Sequence, residues 1–117
     1  MRRIQFYRFI NGNSPIEEFL DSLTGKQAQK VLWVLRLIED LEIIPKQYFK
    51  KLTGYRNLWE VRIQLGNDIF RLLGFLENEN LLILTHAITK KTQKTPQQDI
   101  TLAIKQMEEY LARRKKL

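Results

Sequence analysis

Arg62, Arg71 and the chain's single histidine, His86, are the residues whose types and spacing could do chemistry together. Gly66-Asn67 is a Gly-X pair of the kind that suits a two-residue type II′ hairpin turn. It pairs Leu65 with Asp68, and counting back along both strands sets Arg62 opposite Arg71. A second connection within Glu77-Asn78-Glu79-Asn80, whether a tight Asn78-Glu79 turn or a four-residue loop, sets Arg71 opposite His86. Like charges facing each other across strands are destabilising unless an anion sits between them. The spacing therefore predicts a cationic row on one sheet face, ready for a phosphate. A slip of one residue would destroy that row.

Each candidate has a chemical role and a structural alternative. A planar guanidinium binds phosphate bidentately, so Arg71, in the central strand, is the natural oxyanion clamp and Arg62 its helper. Otherwise they are surface arginines, one paired with Glu60. His86 titrates near neutrality and suits proton transfer, or it is a neutral sheet histidine holding a backbone carbonyl. Glu60 is either a general base or a salt-bridge partner, and a neighbouring arginine favours the second. Lys90, Lys91 and Lys94 follow the last strand, where they contact phosphates or, with a pKa depressed by crowding, move a proton. Lys50 and Lys51 lie in a basic connection with Tyr48, Phe49 and Tyr55, aromatics that either stack on bases or anchor the loop. Trp33 and Trp59 are expected in the core.

The elements that must position these residues have clear signals. Ile4 to Ile10 alternates as a strand, with Ile4 and Phe6 on one side. Ser14-Pro15-Ile16-Glu17 combines a cap, a first-turn proline and a capping-box acid, and Ile16, Phe19, Leu20 and Leu23 follow at helical spacing. Thr24-Gly25-Lys26-Gln27 is a second capping box. The stripe of Ala28, Val31, Leu32, Leu35 and Ile38, widened by Trp33, Val34, Leu37 and Leu41, predicts a helix buried on more than one side. Pro45 enforces its end. Strands are expected over 58–65, 68–76 and 81–89. Trp59, Val61, Ile63, Phe70, Leu72, Leu76, Leu81 and Ile83 share the face toward the helices. A third capping box at Thr95-Pro96-Gln97-Gln98 opens a last helix with Ile100, Ala103, Ile104, Met107, Tyr110 and Leu111 in its stripe. The order β-α-α-β-β-β-α is an α+β layer structure, an antiparallel sheet with helices on one face and a C-terminal helix docked on the sheet edge or on a partner.

The 117 residues are expected to form one domain, 1–117. Twenty Lys and Arg against 13 Asp and Glu leave a charge of +7, which favours a polyanionic partner. No cysteine is present, so disulfides, thiolate nucleophiles and cysteine metal sites are excluded. One histidine is too few for a conventional zinc site. No metal or cofactor is expected. No run reaches the roughly 18 apolar residues of a membrane span, and the basic start leads into alternating residues rather than a signal core. The cytoplasm is the expected location.

Leu58-Trp59-Glu60-Val61-Arg62, Ile69-Phe70-Arg71-Leu72-Leu73 and the run from Thr85-His86-Ala87-Ile88 through Lys90-Lys91-Thr92-Gln93-Lys94-Thr95-Pro96, in this element order, resemble a HigB-type toxin of the RelE/ParE superfamily, in its phage-derived branch. The resemblance implies a RelE-like fold and a toxin of a type II toxin–antitoxin system. It implies a metal-independent, ribosome-dependent endoribonuclease that cuts messenger RNA through 2′-OH attack and is neutralised by a helix-turn-helix antitoxin. On that reading Arg62, Arg71, His86 and Lys90 carry catalysis, and Lys91, Lys94, Lys50 and Lys51 bind RNA. The competing expectations are a ParE-like gyrase inhibitor without catalysis and a nucleic-acid-binding phage remnant.

Overall fold

The first two helices begin where the side chains dictate. In the computed structural model, which describes residues 2–89 and 94–115, the Ser14 hydroxyl accepts from the Glu17 N–H and opens α1 (Pro15–Asp21). The Thr24 box closes in both directions and opens α2 (Gly25–Asp40). Arg2 donates to the carbonyls of Leu41 and Glu42 at 2.7 and 3.0 Å, satisfying acceptors that the end of α2 leaves open.

The strands are β1 (Arg3–Phe6), β2 (Phe49–Lys51), β3 (Trp59–Leu65), β4 (Asp68–Asn78) and β5 (Leu81–Ile88). They form one sheet in the order β1-β5-β4-β3-β2. The α+β architecture is the expected one and is compatible with a RelE-like fold, with two refinements. β1 runs parallel to β5; the two are not joined directly, since the chain passes from β1 through α1 and α2 to the far edge at β2 and returns through β3 and β4. The basic connection contributes β2, a short edge strand.

On one face, Ile16, Phe19, Val31, Val34, Leu35 and Ile38 of α1 and α2 pack on Val61, Ile63, Phe70, Leu72, Leu82 and Leu84. The other face is covered by α3 (Gln97–Lys115). Ile100 and Ala103 meet Leu52, Leu58, Leu73 and Ile88, and Met107 and Tyr110 meet Tyr7, Phe75 and Ile83. The last helix therefore docks on the second face of the sheet rather than on its edge. A face bearing Leu73, Phe75, Ile83 and Ile88 gains roughly 25 cal/mol for each Å² of apolar surface it buries, and α3 is the element that buries it.

Two expectations about α2 and β5 are corrected. Leu32 of the stripe and Trp33 of its widening are 53% and 50% exposed, so α2 is open along their side and Trp33 is not core, whereas Val34 of the widening is fully buried. Leu82 and Leu84, rather than Leu81 and Ile83, face α1 and α2. The β4–β5 turn is Glu79-Asn80, and Glu77 and Thr85 are extra residues at two irregularities in the ladder. A one-residue offset between them turns that part of β5 over.

Candidate active site

The first hairpin is built as its turn predicts. Gly66 takes φ 60°, which its missing Cβ permits. Leu65 pairs with Asp68 and Arg62 with Arg71. The Arg62 N–H points away from β4 and donates to the Tyr48 carbonyl at 2.9 Å. Arg62 and Arg71 are therefore a non-hydrogen-bonded pair, the closer kind, with Cα atoms about 4.5 Å apart.

The two arginines have different surroundings. Arg71 lies between Glu60, diagonal to it on β3, and the start of α3. Its Nε is 3.5 Å from Glu60 Oε1, and the two side chains are only 4% and 3% exposed. The Thr95 hydroxyl donates to Glu60 Oε2 at 2.8 Å. Thr95 is thus turned to the sheet, and the Pro96 carbonyl receives the Asp99 and Ile100 N–H groups where α3 begins. Arg62, nearer the sheet edge, is half-buried and has no ion-pair partner among the described residues. Glu60 takes the salt-bridge role, with Arg71.

His86 is not opposite Arg71. Ile88 is, and His86 pairs with Leu73. Its ring shares the row's face but lies under α3, its side chain 7% exposed, with Nε2 3.2 Å from Asp99 Oδ1. Nδ1 is 3.3 Å from the Thr85 hydroxyl, which itself donates to the Leu73 carbonyl at 3.0 Å. Asp99 sits in the first turn of α3, where the helix dipole favours a carboxylate. Burial pushes the His86 pKa below its ordinary 6.5, and Asp99 and Gln106 offset this in part. In this position His86 pins α3 to the sheet and does not reach a phosphate on the open surface.

The lysines divide. Lys50 pairs with Glu60 across the β2 edge and shares the row's face, whereas Lys51 pairs with Trp59 and belongs to the opposite face. Both are exposed, as is Lys94 immediately before Thr95. Lys90 and Lys91 lie outside the described residues. Phe49 stacks on Trp59 at 4.8 Å between centroids, and Tyr48 packs edge-on against Trp33; both aromatics act as anchors of the connection. Sequence reasoning missed Thr95, Asp99 and Gln106 as partners of the sheet. The signal was there: Asp99, Ala103, Gln106 and Tyr110 recur at helical spacing, so polar groups share a face with residues that must be covered.

Because His86 is the only histidine, its linkage to stability can be isolated. A folded-state pKa below the unfolded one makes protonation favour unfolding. The contribution of neutral His86 is present above about pH 6.5 and is lost as pH falls below it. The stability difference between wild type and His86→Gln should narrow between about pH 8 and about pH 5 in urea unfolding. A gap that widens toward acid would mean that the Asp99 attraction outweighs burial.

The family model described as Phage derived protein Gp49-like (DUF891) matches residues 18–108, from within α1 to within α3, and takes in the whole candidate site. The chain belongs to this Gp49-like family, part of the RelE/ParE-like toxin superfamily. The family is associated with the toxins of toxin–antitoxin systems, and membership implies an antitoxin partner. No curated protein sequence matches the chain. No helix among the described residues is long and apolar enough to cross a membrane.

Proposed function

We propose that the chain is a HigB-type toxin, a ribosome-dependent endoribonuclease of the cytoplasm that cuts messenger RNA and is restrained by a helix-turn-helix antitoxin. The observation that carries this reading is the Arg62–Arg71 pair, set at close spacing on adjacent strands, with Arg62 open at the rim. The charge of +7 supports an RNA partner.

In the reaction, the 2′-hydroxyl gives up its proton to solvent as its oxygen forms a bond to the adjacent phosphorus, the bond to the 5′-oxygen breaks, the departing 5′-oxygen takes up a proton from solvent, and a 2′,3′-cyclic phosphate remains. Charge builds on the non-bridging oxygens, where fixed cations contribute most. Arg62 meets those oxygens. Arg71, oriented by Glu60, sets the potential beneath them, and Lys50 and Lys94 hold the strand on either side. Lys90 and Lys91 are assigned phosphate contact by the sequence and its resemblance alone. His86 acts at one remove, by holding α3 in place.

With translating ribosomes and primer extension, Arg62→Ala should cut messenger about a hundredfold more slowly while unfolding at the wild-type urea midpoint. Wild-type cleavage by that variant would overturn the assignment. The burial of Arg71 and His86 under α3 favours a second reading, a ParE-like gyrase inhibitor without catalysis. DNA damage with no RNA cuts on induced expression would establish it.

A further inference from the structure

Beyond Tyr48 no described residue pairs with the outer side of β3, and a notch opens there. It measures about 450 Å³ and is lined by Lys30, Gln47, Tyr48, Arg62 and Gln64. That size falls within the roughly 300–1,000 Å³ of small-ligand clefts. The lining holds two cations, two amides and a phenol, and no carboxylate. Neither Lys30 nor Arg62 has an ion-pair partner among the described residues. Trp33 organises one wall: the Lys30 ammonium lies 4.7 Å over its ring, and Tyr48 packs on it edge-on at 5.9 Å. This gives the half-exposed tryptophan a place. The alternation that turns the Arg62 N–H outward to Tyr48 turns the Gln64 N–H and carbonyl outward too, toward an edge that no strand covers among the described residues.

Unpaired cations, amide donors and acceptors and an open backbone edge, with no opposing acid, make an anion site that also recognises sugar or base edges. Arg62 belongs to both this notch and the arginine row. We infer that the notch is a nucleotide subsite of single-stranded RNA: Lys30 takes the phosphate next to the one at Arg62, and Gln47, Gln64 and Tyr48 hold the intervening nucleoside. This rests on the ribonuclease reading for its choice of RNA. The strand would then pass from the row over the β3 edge to α2.

The probe is a trinucleotide RNA with 2′-O-methyl riboses, which cannot be cut, titrated at millimolar concentration into the labelled full-length chain and followed by nuclear magnetic resonance. The side-chain amide signals of Gln47 and Gln64 should move and saturate. Lys30→Ala should weaken binding about tenfold, and Lys105→Ala, on the exposed side of α3, should leave it unchanged. Unmoved Gln47 and Gln64 signals, or wild-type binding by Lys30→Ala, would overturn the subsite and leave messenger cleavage by the arginine row standing. A chain whose notch binds the trinucleotide but which cuts no messenger keeps the subsite and loses the ribonuclease.

Discussion

Glu60→Leu and Arg71→Leu should each lower the unfolding free energy by about 3–5 kcal/mol, whereas the double variant Glu60→Leu/Arg71→Leu should return to within about 1–2 kcal/mol of wild type. Both side chains are almost wholly buried, and the N-terminal end of α3 closes over them through Thr95. Removing one leaves the other's charge in a low-dielectric setting without the attraction of the pair, and in Glu60→Leu the Thr95 hydroxyl loses its acceptor as well. Removing both deletes the pair's desolvation cost along with its attraction, and the surrounding Leu73 and Ile88 accept apolar replacements. Urea unfolding of the four proteins in the cycle measures the coupling. Single variants that each lose less than about 1 kcal/mol would show the pair to be solvated in solution. The consequence for function is direct: lost activity in an Arg71 variant reports a damaged fold as readily as damaged chemistry. Arg62, half-buried at the rim, is the arginine whose substitution separates the two.

What could be read in the sequence followed how local each determinant is. The Gly66-Asn67 turn fixes its own hairpin, so Arg62 and Arg71 meet as the residue types require. Ser14 and Thr24 likewise start their helices through contacts within four residues. Register between β4 and β5 depends instead on Glu77 and Thr85 standing out of the ladder, and neither residue announces this by type. The first offset reverses which leucines face the helices, and the second returns His86 to the row's face but opposite Leu73. Burial was legible in part. Leu73 and Phe75 follow Arg71 on its own face, and a surface with such neighbours demands a cover; periodicity alone does not say that α3 supplies it. The half-exposed Leu32 and Trp33 carry the same lesson in reverse, since helical spacing identifies a stripe but not which part of it finds a partner.

Gly74 shows how much of the site depends on the irregular ladder, and Gly74→Ala should cost about 3 kcal/mol. A Cβ added there would stand 2.5 Å from the Ile83 carbonyl oxygen, 3.0 Å from Leu84 Cδ2 and 3.2 Å from Leu84 Cα. The nearest of these is backbone, which moves only if the β4–β5 pairing moves. Gly74 pairs with Leu84 on one side of Thr85, and Leu73 pairs with His86 on the other. The two strands come this close just where one of them carries an extra residue. Pushing β5 away would loosen Thr85 from the Leu73 carbonyl and draw His86 from Asp99, so the damage should extend to the start of α3. Hydrogen exchange should therefore accelerate in β4 and β5 around residues 73–86 and in the first turn of α3, beyond any fall in the urea midpoint. Gly54, whose added Cβ would meet nothing within 4 Å, is the contrasting site: Gly54→Ala carries only the penalty of its positive φ, about 1 kcal/mol. If the Gly74 variant proved no less stable than the Gly54 one, the close approach of β5 would not be what holds His86 under α3.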